Sequence, residues 1–309
     1  MVILWSAINK ETMNQNASKK AVNISPLIEV DELLSLLDEP HLRFFDASNQ
    51  PGAAMAYEQR HLAGAAFVSV DEQLAEIQAN VALGGRHPLP SLNRFAVVLQ
   101  QLGIDKNSHV VIYDDSHGAN AAARFWWMLR STGHALVQVL NGGLKAAIEN
   151  NFPLSNQKLS YSATPEPYPC KPWMLPLKQM EDIKLNSPLA VAVIVDVRSN
   201  ERFEGIHEPI DLVAGHIPGA VNIPFTENLD SKGLFHSADI LRDKYLPLMK
   251  LQEANQITVH CGSGVTACHT LLAMDHAGFE IPALYVGSWS EWSRNNKPMD
   301  TGKSPVKFL

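Results

Sequence analysis

Cysteine is scarce in this chain: Cys170, Cys261 and Cys268 are the three among 309 residues. An odd and sparse set excludes a disulfide framework and fits a reducing compartment, so the sequence predicts a cytoplasmic protein. No Cys-x-x-Cys occurs, and Cys261 and Cys268 with His260 and His269 lack the close spacing of a structural zinc site, so no metal is expected. Excess basic charge is missing too. With 25 Lys and Arg against 32 Asp and Glu, the net charge is −7, which argues against a nucleic-acid partner. A small anionic substrate stays compatible, because the field of a site is local. No apolar run approaches a membrane span, so no membrane partner is expected. The apolar start, Met1-Val2-Ile3-Leu4-Trp5, is too short for a signal segment, and residues 1–22 read as a loose extension.

What the chain does contain is a repeat. Arg43-Phe44-Phe45-Asp46-Ala47-Ser48 matches Val193-Ile194-Val195-Asp196-Val197-Arg198-Ser199, and His61-Leu62-Ala63-Gly64-Ala65-Ala66 matches His216-Ile217-Pro218-Gly219-Ala220-Val221. Val110-Val111-Ile112-Tyr113-Asp114 matches Ile257-Thr258-Val259-His260-Cys261, and Gly142-Gly143-Leu144 matches Gly287-Ser288-Trp289. The order is conserved between the halves and each offset is roughly 145–155 residues, which predicts two related domains in tandem. Between them, Pro153, Pro165, Pro167, Pro169, Pro172 and Pro176 mark an extended connector over 151–176. The expected domains are 23–150 and 177–309. Helical periodicity over 91–102 and 120–131 alternates with short apolar strands such as 137–140 and 284–286. Alternating β and α predicts an α/β fold in which each domain has a small parallel sheet with helices on both faces.

In such sheets, sites form at the carboxyl ends of strands, and Cys261 stands at one. The apolar run 256–259 reads as a buried strand, residues 262–266 as a loop of small residues, and 267–276 as a helix. Loop N–H groups and a helix N-terminus both favour a thiolate over a thiol, and the thiolate is the nucleophile. The alternative is a plain strand-to-helix turn holding a small apolar cysteine. The first half carries Asp114 at the matching place and cannot carry sulfur there.

Three motifs identify the pattern further: Gly215-His216-Ile217-Pro218-Gly219-Ala220, Cys261-Gly262-Ser263-Gly264-Val265-Thr266 and Gly287-Ser288-Trp289-Ser290-Glu291-Trp292. With Phe125-Trp126-Trp127-Met128-Leu129-Arg130 in the first half, they resemble the tandem-domain sulfurtransferases, the rhodanese and 3-mercaptopyruvate sulfurtransferase family. The resemblance covers nearly all of the chain after about residue 24. It implies two rhodanese-like domains, the first non-catalytic, and a Cys261 persulfide that carries sulfane sulfur from a small anionic donor to a thiol, cyanide or thioredoxin-like acceptor. No cofactor is implied. The thiosulfate branch typically has two basic residues after the cysteine. Gly262 and Ser263 follow the mercaptopyruvate branch instead, with thiosulfate preference as the alternative.

The resemblance also implies roles. Ser263, His87 and Asp71 take the places of a proton relay. Backbone N–H groups from Gly262, Gly264, Val265 and Thr266 surround the sulfur, and Arg202 binds the donor's carboxylate. A second arginine expected about nine residues after Arg202 is absent, with Asp211 near its place, and this departure questions the donor. Arg86, beside His87, is a cation that compensates only if the fold brings it near. Asp196, Arg198 and His216 are expected to shape loops, and the tryptophans 126, 127, 289 and 292 to pack. Cys268 is read as core or as a redox partner of Cys261, and Cys170 has no evident role. Two rivals remain. A cysteine phosphatase needs an arginine six residues after its cysteine, where this chain has Ala267. A non-catalytic persulfide carrier would use the same Cys261 without turnover.

Overall fold

Strand-forming and helix-forming stretches alternate as the pattern predicts, and a computed structural model describes residues 24–185 and 193–303. The first half comprises β1 (Leu27–Ile28), α1 (Val30–Leu36), β2 (Leu42–Asp46), α2 (Ala53–Gln59), β3 (His61–Leu62), β4 (Ala65–Phe67), α3 (Leu92–Gln101), β5 (His109–Tyr113), α4 (Ala121–Ser131), β6 (Val137–Leu140) and α5 (Gly143–Glu149). A connector strand, β7 (Leu154–Ser155), pairs antiparallel with β3. The second half comprises β8 (Leu177–Lys178), β9 (Val193–Asp196), α6 (Asn200–Phe203), β10 (Val221–Asn222), α7 (Ala238–Leu251), β11 (Ile257–His260), α8 (Ala267–His276), β12 (Ala283–Tyr285) and α9 (Ser288–Trp292). The expected loose extension over 1–22 lies outside the described residues.

Each half folds around a five-stranded parallel sheet, ordered β1-β6-β5-β2-β4 in the first and β10-β9-β11-β12-β8 in the second. Read from the opposite edge, β8, β12, β11, β9 and β10 take the places of β1, β6, β5, β2 and β4, so the sequence repeat is a repeat of topology. Side chains alternate across each strand. Phe45, Val110 and Ile112 feed one core with α3 and α4, while Phe44, Val111 and Tyr113 feed another with α1 and α5. The first of these cores continues into the second half through Val195, Val259, Leu271 and Leu272, because α4 packs against α8. The connector lies along the first half. Tyr161 Oη accepts from the Phe44 N–H at 2.9 Å and donates to the Gly64 carbonyl at 3.0 Å, and Trp173 stacks on Trp127.

Asp114, at the end of β5, explains how the first half manages without a cysteine. One carboxylate oxygen accepts from the N–H groups of Ser116 and Gly118 at 2.9 and 2.8 Å, the other from Asn120 and Ala122 at 3.0 and 3.2 Å. Burial pushes its carboxyl up to about 6, so it is ionised at neutral pH. Asp114→Asn keeps the shape but turns an NH2 group toward one pair of donors. A loss of about 1–3 kcal/mol in folding stability is expected, read from thermal or urea unfolding.

Candidate active site

Cys261 follows β11, the central strand of the second sheet, and is buried. The loop after it is held by its carbonyls. Trp289 and Ser290, in the first turn of α9, donate N–H bonds to the carbonyls of Cys261 and Gly262 at 3.0 and 2.9 Å. Ser288 Oγ accepts from the Cys261 N–H at 3.2 Å. Arg124, from α4 in the other half, donates to the Gly264 carbonyl at 3.1 Å. Gly264 sits at φ +73°, and a Cβ there would lie 2.5 Å from the Val286 carbonyl, so both conformation and space require glycine. Among the described residues, none of the N–H groups from 262 to 266 donates to a protein acceptor. These donors and the N-terminus of α8 lie at the end of β11, the place where the first half carries Asp114 at the end of β5.

The first half supplies the other wall. Asp71 lies on a wide helical turn, Val70–Leu74. The loop carrying Arg86 and His87 docks on α9: the Gly84 N–H donates to Glu291 Oε1 at 2.8 Å and the Arg86 N–H to Ser290 Oγ at 3.1 Å. Arg124 also donates to the His87 carbonyl at 3.2 Å. These contacts place His87 Nδ1 2.8 Å from Ser263 Oγ and His87 Nε2 3.3 Å from Asp71 Oδ1. Burial, reinforced by the Arg86 cation, pushes His87 down to about 4, so the ring is neutral at pH 7. A carboxylate only accepts, so the ring proton sits on Nε2 and leaves Nδ1 as acceptor for the Ser263 hydroxyl.

Arg202, on α6, reaches the same loop, but its guanidinium is already paired. Nε donates to Glu208 at 2.9 Å, and Nη2 lies 2.9 Å from Glu208 Oε1 and 3.0 Å from Asp211 Oδ2. Asp211 does not simply remove a cation. Its fully buried carboxylate gathers three, meeting Arg86 Nε at 3.0 Å and Arg294 Nη1 at 3.5 Å as well. A Cβ on Gly262 would lie 2.8 Å from Arg86 Nη2 and 3.2 Å from Arg202 Nη2, so this cluster borders the residue next to Cys261. Arg124, Ser290, Glu291 and Arg294 escaped the sequence reading as site residues. Arg124 left a signal, a charge inside the apolar run Ala121-Ala122-Ala123-Arg124-Phe125-Trp126-Trp127.

The remaining residues are structural. Arg198 pairs with Asp196 and lies 4.7 Å over the Trp289 ring, and His216 stacks on Phe203 at 3.7 Å. The four tryptophans are buried. Cys268 faces the Gly264 carbonyl at 3.4 Å, and burial pushes its thiol up to about 12.

Fold and site define a tandem α/β protein with a buried cysteine at the end of the central strand of its second half. Residues 29–150 and 178–295 match the rhodanese-like domain, and the chain belongs to the rhodanese family. It is 38% identical over 283 residues to the probable 3-mercaptopyruvate sulfurtransferase of Pseudomonas aeruginosa, covering 89% of this chain and 98% of that one. It is 35% identical over 278 residues to a thiosulfate sulfurtransferase of Mus musculus, covering 86% and 90%. Among solved structures it is similar to the 3-mercaptopyruvate sulfotransferase SseA of Escherichia coli, with TM-score 0.71, 30% identity and coverage of 87% of this chain and 100% of that one.

Proposed function

We propose that the protein is a sulfurtransferase that takes sulfur from 3-mercaptopyruvate onto Cys261 and passes it to a thiol or cyanide. The observation that carries the donor assignment is the contact chain from Asp71 through His87 to Ser263, in which His87 and Ser263 are 176 apart in sequence. The Cys261 thiolate attacks the donor sulfur. An S–S bond forms, the C–S bond breaks, and its electron pair leaves as the enolate of pyruvate. The donor's thiol proton passes through Ser263 to His87 Nδ1 and returns to the enolate carbon. The N–H groups of Gly262, Ser263, Gly264, Val265 and Thr266 hold the persulfide anion, and the guanidinium cluster with Arg202 receives the carboxylate. An acceptor thiolate or cyanide then attacks the outer sulfur and regenerates the Cys261 thiolate.

Thiosulfate brings no proton to move, and this separates the donors. Ser263→Ala is expected to lower kcat with mercaptopyruvate about 10–100-fold while changing the thiosulfate rate little, measured by thiocyanate formation. A higher kcat/KM with thiosulfate in the wild type would overturn the donor assignment. The pH profile gives a second check. His87, held down to about 4, is in its basic form above that value. The mercaptopyruvate rate should therefore persist through pH 6 and fall only as pH approaches 4, and an inflection at the ordinary histidine value would refute a buried relay. Among the described residues no helix is long and apolar enough to cross a membrane. Three free cysteines support a cytoplasmic setting with a small thiol or thioredoxin-like dithiol as acceptor.

A further inference from the structure

The loop that carries His87 has little of its own to hold it in place. The Glu76 N–H donates to the Pro88 carbonyl at 3.0 Å and closes the neck, which leaves 77–87 as an excursion from the first half. Its large apolar side chains do not anchor it, since Ile77 and Leu83 are 52% and 62% exposed. Gly84 and Gly85 both take left-handed angles, φ +84° and +82°, and the chain lies against the start of α9, where a Cβ on Gly85 would run into the Gly287 carbonyl. Polar contacts do the holding. Asn295 Nδ2 donates to the Ala82 carbonyl at 2.8 Å, the Gly84 N–H to Glu291 Oε1 at 2.8 Å, and the Arg86 N–H to Ser290 Oγ at 3.1 Å. Glu291 is the unusual member of this set. Its carboxylate is buried, and its two side-chain donors, the Gly84 N–H and the Tyr285 hydroxyl at 2.8 Å, are both neutral. Arg294, three residues on, turns instead to the Ser290 carbonyl and to Asp211. A buried carboxylate without a cation costs stability, and a Cβ on Gly287 would overlap Glu291 Oε2, so the backbone is cut back to admit it. Local conflicts of this kind gather at functional positions.

We infer that Glu291 is a positioning residue that clamps the 77–87 loop to the second half and thereby decides how well the protein handles a donor whose sulfur carries a proton. The inference rests on the proton relay through His87. Mercaptopyruvate needs His87 held against Ser263, whereas thiosulfate, with no proton to move, needs only the loop after Cys261. Donor preference is then set from α9, by a group whose own side-chain contacts are Gly84 and Tyr285.

Glu291→Ala and Glu291→Gln in the full-length protein separate a clamp from a merely structural role. Glutamine keeps an acceptor for the Gly84 N–H and a donor for Tyr285 Oη, and alanine keeps neither. Glu291→Ala is expected to lower kcat with mercaptopyruvate about tenfold with KM little changed, while the thiosulfate rate stays within about twofold of wild type. Glu291→Gln should recover most of that loss. A second readout needs no sulfur transfer. Burial and the Arg86 cation hold His87 down to about 4, with Arg124 adding to their effect and Asp71 opposing it. NMR of the His87 ring, identified by its absence from His87→Gln, should show the titration of Glu291→Ala moved up toward the ordinary histidine value of about 6.5. Glu291→Gln should titrate near wild type. If Glu291→Ala does not fold, Ser290→Ala, which removes the Arg86 docking bond, should give the same donor split and the same titration shift. An unchanged His87 titration overturns the inference, as does an equal loss with both donors. A shifted titration in a protein with no preference for mercaptopyruvate leaves the clamp standing and refutes the donor reading instead.

Discussion

Cys261→Ser is expected to cut sulfur transfer to cyanide by about four orders of magnitude or more with either donor, since no other group can take its role as nucleophile. Serine differs from cysteine by one atom, and the hydrogen bonds of Cys261 run through its backbone groups: its N–H to Ser288 Oγ and its carbonyl to Trp289. The fold and the cradle should therefore persist. The measurement is thiocyanate formation beside mass spectrometry of donor-treated protein. Wild type should gain the mass of one sulfur on the Cys261 peptide, and the variant none. Retained turnover would sink the mechanism. A single loading of wild type with no turnover would identify a sulfur carrier. Cys268 offers no substitute nucleophile, since burial keeps its thiol protonated.

Arg124→Met should produce the second-largest loss through position rather than contact with the donor. Its guanidinium is fully buried, and it donates to the Gly264 carbonyl in the cradle and to the His87 carbonyl in the relay loop. Methionine fills much of the volume but leaves the buried Gly264 carbonyl and the part-buried His87 carbonyl without this donor. The expected costs are about 2–4 kcal/mol in stability, a melting point lower by about 5 °C, and a fall in kcat/KM of about a hundredfold. Arg124→Lys, which keeps a donor, should recover part of the activity. If activity is lost while stability stays at the wild-type value, the residue acts on the chemistry directly. If neither changes, the link between loop and relay is dispensable.

Much of this was legible in the sequence because it lies in local pattern. The repeat, the alternation of elements and the turn at Cys261 depend on neighbours in the chain, and helix α8 spans Ala267–His276 as the periodicity predicts. The contacts between halves were not legible. Nothing in the order of residues says that Asp211 would draw Arg86 from 125 positions away, or that Arg124 would reach Gly264 from 140 away. The substitution of Asp211 for an expected arginine reads in sequence as a missing charge, whereas in three dimensions it is the anion that lets three guanidiniums sit together. Ser263, His87 and Asp71 were assigned together through resemblance alone, and the fold brings them into contact because the Gly84 to His87 loop is fastened to α9.

The two cradles have a thermodynamic consequence. Asp114 gives the first domain an internal anion of its own at neutral pH, accepting four N–H groups at once. The second domain must borrow its anion. Whatever binds the folded cradle more tightly than the unfolded chain stabilises the fold by mass action. A persulfide on Cys261 should thus make the donor-loaded protein the harder of the two forms to melt, and acceptor should return it to the softer one. Duplication has left the first copy with its anion built in, and the second should gain thermal resistance when sulfur is loaded and lose it on release.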